Sequence, residues 1–185
     1  MSQRNADDPV LDSARACVLA VGVRRTTMTD IARRAGVSRM TLYRRFPDLE
    51  GVLAALMTRE FGRLVAGAAG SAEGSNTRER LVATVVHGSR ALAADPLFER
   101  LLDVDPELLL PYVTQRLGGM QKMAVEASAR ILADADDSVR SDVPPPTLAA
   151  GMELIARGFV LASHGDLALD PWAELTRAID GYLRP

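Results

Sequence analysis

"TTMTDIARRAGVSRMTLYRRF", residues 26–46, carries five arginines alongside a spaced set of apolar residues that cannot all face water. Met28, Ile31, Ala32 and Ala35 recur at i, i+3, i+4 and i+7, which puts them along one side of a short helix. Thr27, three residues ahead of Asp30, has the form of a capping box with Asp in the place of the usual Glu or Gln. Gly36 suits the left-handed end of that helix, Val37 is free to turn inward, and Ser38 can cap a third helix through its hydroxyl. Two short helices joined by so tight a turn read as a helix-turn-helix, the arrangement that lays its second helix in a DNA major groove.

The arginines fall into place once the inward direction of the third helix is fixed. With Leu42 inward and about 100° per residue, Phe46 lies about 40° away and joins the core. Met40 and Arg44 lie about 160° to either side and point outward. Thr41 and Tyr43 sit on the flanks, and Arg39 and Arg45 at the edges, nearer to where phosphates would run. A thymine methyl suits Met40 or Thr41, and a phosphate or base edge suits Tyr43, although Tyr43 could equally cover the core. Arg24, Arg25, Arg33 and Arg34 add positive charge from the neighbouring elements.

The charge balance of the whole chain points the same way. Seven arginines between Arg24 and Arg45 face a single acid, Asp30, for a net +6, whereas Phe46 to Pro185 holds 13 basic and 20 acidic residues, a net −7. One end suits a polyanion and the rest does not. At 185 residues, with 48% hydrophobic and 25% charged residues, the chain is long and apolar enough for a sizeable core. Ala, Leu, Arg and Glu dominate and β-branched runs are nearly absent, so an all-α fold of about nine helices is expected. No apolar run reaches membrane-spanning length, and Asp7, Asp8 and Asp12 stand where a secretory leader would be basic and then apolar; a cytoplasmic protein without a membrane partner is expected. Cys17 sits among Ala14, Val18 and Val21 as a small apolar residue, and with only His87 and His164 beside it no metal site or other cofactor is expected.

Upstream of residue 26, Val10, Leu11, Ala14, Cys17, Val18 and Val21 line one side of a first helix ending at Gly22. Downstream, a long helix from Leu49 to Ala69 closes at "GSAEGSN" and would join the two parts of the chain rigidly. Another runs from Thr77 to Ala94, stopped by Asp95-Pro96; short pieces follow around Leu97–Asp103, and a long helix from Pro106 towards Ala133 carries a candidate break at Gly118-Gly119. The acidic "DADDSVRSD" and "VPPPT" then read as a loop. Leu148, Met152, Ile155, Phe159 and Ala162 form one apolar line of the next helix and Gly151, Leu154, Gly158 and Leu161 a second, with a thin polar stripe at Glu153 and Arg157. A helix apolar on nearly all sides needs cover on nearly all sides, either from its own core or from a partner. The last helix, Pro171 to Leu183, offers Trp172, Leu175 and Ile179 at matching intervals.

"TTMTDIARRAGVSRMTLYRRFPDLEGVL" resembles the DNA-binding signature of the TetR (tetracycline repressor) family: a Thr-led helix, Ile-Ala, Ala-Gly-Val-Ser, Thr-Leu-Tyr, then His or Tyr before Phe, and a Lys-Glu pair opening the next helix. The C-terminal "RGFVLAS" is also similar to members of the family. The resemblance implies a helix-turn-helix DNA-binding domain over residues 1–47 and a helical effector-binding and dimerisation domain over residues 48–185. Thr27, Arg39, Met40, Thr41, Tyr43, Arg44 and Arg45 occupy the family's DNA-facing places, with Arg45 where His or Tyr is common and Leu49 where a Lys usually meets a phosphate. It implies a homodimer seamed by the last two helices, here Gly151, Leu154, Ile155, Gly158, Trp172, Leu175 and Ile179, with the glycines permitting close approach. It further implies double-stranded operator DNA as partner, and a small-molecule effector that moves the fourth helix and releases a repressor from a palindromic site. Phe98, Leu102, Tyr112, Met120, Met123, Met152 and Phe159 are candidate pocket residues, each of which also fits ordinary core packing.

Two other classes compete. A small enzyme would have to use His164 and Asp166 in "SHGD", but Gly165 reads as a helix stop and no phosphate loop or nucleophile elbow accompanies them, so catalysis is not expected. An all-α adaptor for other proteins differs in its salt response: binding through arginines to DNA weakens steeply as salt rises, and an apolar interface does not.

Overall fold

A computed structural model describes residues 8–110, 117–166 and 168–185, apart from the side chains of residues 69 and 71. Among these residues all regular structure is helical. The nine α-helices are α1 (Pro9–Val21), α2 (Met28–Ala35), α3 (Arg39–Arg45), α4 (Leu49–Ser71), α5 (Thr77–Ala93), α6 (Pro96–Val104), α7 (Gly119–Ala133), α8 (Pro145–Ala162) and α9 (Pro171–Leu183). The all-α expectation holds. The long helix expected from Pro106 towards Ala133 holds from Gly119 as α7, after the candidate break, where Leu117 and Gly118 are non-helical; Pro106–Leu108 is instead a single 3-10 turn, and residues 111–116 of that span lie outside the described residues. Two compact units result, one formed by the chain up to Phe61 with Asp95–Gly119, the other by Gly62–Ala94 with Met120–Pro185.

In the first unit α1 starts on an Asp8 cap, whose carboxylate accepts from the Val10 amide at 3.0 Å, with Pro9 preset at the first helical position. Val10, Leu11, Ala14 and Val18 of α1 pack with Ile31 and Ala32 of α2, Leu42 of α3, Val52 and Leu56 of α4, and Leu97 and Leu101 of α6. Cys17 is half-buried against this core, and burial raises its thiol pKa. Gly22 ends α1 with φ 81° and ψ 168°, a conformation closed to most side chains, and a Cβ there would lie 2.9 Å from Val104 Cγ1. The next amide, Val23, donates to the fully buried Asp105 carboxylate at 2.7 Å, fastening the α1–α2 turn to the end of α6. Arg59 of α4, itself buried, pairs with Asp12 at 2.8 Å and Glu60 at 2.6 Å and reaches the Asp8 carbonyl at 3.4 Å.

The second unit is built on α5, α8 and α9, which pack on one another, with α7 alongside. Its core holds Leu81, Val82 and Val86 of α5, Leu132 of α7, Leu148 and Met152 of α8, and Leu175, Ile179 and Leu183 of α9. The polar stripe of α8 is satisfied: Glu153 accepts from Gln121 Nε2 at 2.9 Å and lies 3.6 Å from Arg157 Nε. The acidic loop has a structural task, since Asp136 accepts from the Thr77 amide at 3.0 Å and its hydroxyl at 3.1 Å, placing a carboxylate on the N-terminus of α5. Hydrogen bonds from the Ser138 hydroxyl, then from Thr77, hold the Asp136 carboxyl far below the ordinary carboxylate range. No helix among the described residues is long and apolar enough to cross a membrane.

Candidate nucleic-acid interface

The geometry of α2 and α3 follows from their caps. Thr27 Oγ1 accepts from the Asp30 amide at 3.1 Å, while its own hydroxyl donates to Asp30 Oδ2 at 2.6 Å. Asp is one methylene shorter than Glu, and here its carboxylate meets the Thr27 hydroxyl. Gly36 takes the left-handed conformation, φ 68° and ψ 24°, and Val37 N–H closes back on the Ala32 carbonyl at 3.0 Å. Ser38 Oγ then accepts from the Thr41 amide at 3.1 Å and starts α3. Three caps within twelve residues therefore fix the turn, and Val37 and Phe46 pack against the core on either side of Leu42.

With Leu42 the one buried residue of α3, the remainder of that helix is presented to solvent. Met40 is 80% exposed and Tyr43 49%, while Arg39, Thr41 and Arg44 are exposed beside them. Ser38 Oγ and Thr41 Oγ1 share a hydrogen bond of 2.9 Å. An 80%-exposed Met on a helix with a clear inward side contributes nothing to the core, so its face is free for a partner surface.

The seven arginines do not form one uniform patch. Arg33 pairs with Asp30 at 2.7 Å within α2, and Arg24 pairs with Glu107 and lies 3.7 Å from Asp105. Arg45, expected at the edge of the outward face, turns back instead: its guanidinium grips the Asp8 carboxylate through both terminal nitrogens and lies 5.1 Å from the Phe46 ring centroid. The reason is local, because Asp8 is fixed and buried at the start of α1 within reach of the last residue of α3. Arg25, Arg34, Arg39 and Arg44 have no carboxylate partner among the described residues, Arg25 donating to the Val21 carbonyl at 3.0 Å. The uncompensated charge is smaller than the sequence count and lies on α2, α3 and the turn before them. Leu49, the residue in the usual Lys position, is half-buried against the core at the start of α4.

The remaining sequence candidates separate by burial. Phe98 is buried in the first unit, with its ring edge-on to Phe61 at 6.0 Å, and Leu102 is half-buried there. Met152 is 1% exposed in the core of the second unit and Phe159 packs against that core. Met120 is half-buried, Met123 is exposed, and Tyr112 lies outside the described residues. A groove of about 370 Å³ on the second unit is lined by Glu79, Val82, Ala83, Val86, His87, Thr176 and Asp180, none of them among the sequence candidates. Of the seam residues, Leu175 and Ile179 are 0% exposed inside their own unit, so they cannot themselves touch a partner. The space at Gly151 is filled by Tyr182, whose hydroxyl would lie 2.2 Å from an added Cβ. Leu154 and Gly158 are exposed, and Ile155 and Trp172 are half-buried against the core. His164 places Nδ1 3.2 Å from the Val160 carbonyl and Nε2 3.1 Å from that of Ala93; it ties two helix ends together. No cluster of three metal-ligating side chains occurs among the described residues.

The family model for bacterial regulatory proteins of the tetR family matches residues 10–56, the span from α1 into α4. An uncharacterized HTH-type transcriptional regulator of Mycobacterium tuberculosis H37Rv is 37% identical over 191 aligned residues, covering 99% of this chain and 98% of the relative. The fold is shared with the TetR-family transcriptional repressor QsdR of R. erythropolis, with a TM-score of 0.73, 19% identity and coverage of 94% of this chain and 92% of that one. It is also shared with SmeT in its complex with triclosan, with a TM-score of 0.61, 22% identity and coverage of 97% and 90%. Helix-turn-helix geometry, family match and full-length similarity coincide on the same residues, and the chain belongs to the tetR family of bacterial regulatory proteins, DNA-binding regulators of transcription.

Proposed function

We propose that the protein is a dimeric repressor that binds a palindromic operator and leaves it when a small apolar or amphipathic molecule binds its helical body. The observation that carries the reading is the outward face of α3, where Arg39, Met40, Thr41, Tyr43 and Arg44 project from a helix anchored by Leu42 alone. In this reading Arg44 and Met40, opposite Leu42, meet base edges. Arg39, Thr41, Tyr43 and Thr27 at the cap of α2 meet phosphates or flanking bases. The DNA-binding domain spans residues 1–47 and the effector-binding and dimerisation domain residues 48–185. One seven-residue helix touches only a few base pairs, so a two-fold pair is needed for a selective site, with recognition helices about 34 Å apart to enter successive grooves. Leu154, 57% exposed beside Gly158 on α8, supplies an apolar face for that pairing. The fold shared with SmeT, which holds triclosan, supports a small-molecule effector. Occupancy of an operator by such a dimer blocks polymerase without any further activity, and the setting is the cytoplasm.

Selection of bound sites from random-sequence duplex DNA tests the proposal, and an inverted repeat is the expected product. Arg44→Ala should then weaken binding by about 1–3 kcal/mol and relax preference at one base of each half-site. Recovery of no preferred sequence, or of one without two-fold symmetry, overturns the reading.

A further inference from the structure

The outward arginines of α3 differ in one respect that bears on specificity: Arg39 and Arg44 have no carboxylate partner among the described residues, whereas Arg45 is bound by an acid that is itself locked in place. Asp8 is 2% exposed. Its Oδ1 accepts from the Val10 amide at 3.0 Å and from Arg45 Nη1 at 3.0 Å, its Oδ2 accepts from Arg45 Nη2, and its carbonyl lies 3.4 Å from Arg59 Nη1. The carboxylate also sits on the N-terminus of α1, where the helix dipole favours negative charge. On the other side, the Arg45 guanidinium lies against the Phe46 ring while its side chain remains 42% exposed. Leaving Asp8 for a phosphate would strand a buried carboxylate, so the two-pronged pair outcompetes a solvent-exposed phosphate contact.

We infer that Asp8 is a specificity-determining residue: by holding Arg45 it withdraws one cation from the phosphate-binding face, lowering sequence-independent affinity while leaving base readout to the other residues of α3. A phosphate contact strengthens binding to every sequence alike, so each guanidinium removed from phosphates raises the ratio of specific to non-specific binding. Asp8 acts only through Arg45 and is a positioning residue. The inference rests on the proposed DNA binding of α3, and its test separates the two.

The test is the salt dependence of binding to a random-sequence duplex between 50 and 200 mM salt, for the wild type, Asp8→Asn, Arg45→Gln and the double variant. Asn retains the helix cap and removes the charge, so Asp8→Asn frees Arg45 with α1 intact. Asp8→Asn should steepen the slope of log K against log salt by about 0.9, making the loss across that range about 3.5-fold larger than for the wild type. Arg45→Gln and the double variant should keep the wild-type slope. A purely structural role for the pair would move melting temperature alone. An Arg45→Gln slope shallower by about 0.9 would place Arg45 on a phosphate in the wild type and overturn the inference. An unchanged slope in Asp8→Asn overturns it equally. If Asp8→Asn does not fold, Asp8→Ser, which also keeps a capping oxygen and removes the charge, takes its place with the same two outcomes. A wild type that binds no duplex sinks the proposed function itself, a result distinct from all of these.

Discussion

Replacing Gly22 with Ala tests the account of how the head is fastened. Gly22 lies at φ 81° and ψ 168°, a region occupied almost only by glycine, and holding another residue there costs about 1–3 kcal/mol. The added Cβ would also lie 2.9 Å from Val104 Cγ1 and 3.0 Å from Asp105 Oδ2. The second contact matters more, because Asp105 Oδ2 is the atom that receives the Val23 amide at 2.7 Å in a fully buried setting. Pushing it aside leaves a buried donor poorly satisfied, a further cost of about 1–3 kcal/mol. Gly36→Ala is the internal control: it also has positive φ, at 68°, but lies in the ordinary left-handed well with nothing within 4 Å of the added Cβ. It should cost about 1–2 kcal/mol. Urea unfolding followed by far-ultraviolet circular dichroism compares the two variants, and hydrogen exchange of the Val23 amide reads the local bond. Gly22→Ala should lower the unfolding midpoint more than Gly36→Ala and speed exchange at Val23. Equal midpoints, or an unchanged Val23 exchange rate, would refute the strain and the clash together.

Leu154→Glu should give monomers of unchanged helicity in sedimentation, since the side chain is 57% exposed and charging it costs the protomer's core nothing; a persistent dimer would locate the seam elsewhere. Asp136 gives a pH signature. Its native pKa is depressed by the Ser138 hydroxyl and then by Thr77, so its contribution is complete above the unfolded-state value of about 3.9 and is lost as pH falls towards the native one. The difference in urea midpoint between wild type and Asp136→Asn should therefore be full at pH 6 and narrower at pH 3.5, and an equal gap at both values would contradict the assignment.

What the sequence made legible was the short-range chemistry. Thr27, Gly36 and Ser38 each act on groups within five residues, and all three cap or end helices as their types dictate. Leu42 and Phe46 follow from helical angle alone, and Pro171 to Leu183 is the last helix as read. Periodicity was less able to say which of two apolar lines faces the protomer's own core. On α9 it marked Leu175 and Ile179, which prove fully buried at home, whereas on α8 it marked Leu154, which is exposed. An apolar line requires cover, and spacing says nothing about which molecule provides it. Leu97 and Leu101 illustrate the same gap: no pattern in α6 signals that they complete the core around α1 to α4.

Charge was the least legible property, for a reason specific to ion pairs. A carboxylate that cancels an arginine can come from anywhere in the chain, and here Asp8 is 37 residues from Arg45, while Asp105 lies 82 residues from Val23, next to Arg24. Counting arginines between residues 24 and 45 therefore measures what the segment carries and not what it presents. The distinction governs the function of the face. In the proposed reading Met40 and Arg44 discriminate bases at their edges, whereas guanidiniums set on phosphates hold any duplex and weaken as salt rises. Every arginine paired internally shifts the balance from the second kind of contact to the first. Among the described residues Arg24, Arg33 and Arg45 are paired in this way and Arg39 and Arg44 have no acid partner, so in the proposed reading the acids around the head help decide how selectively it reads DNA.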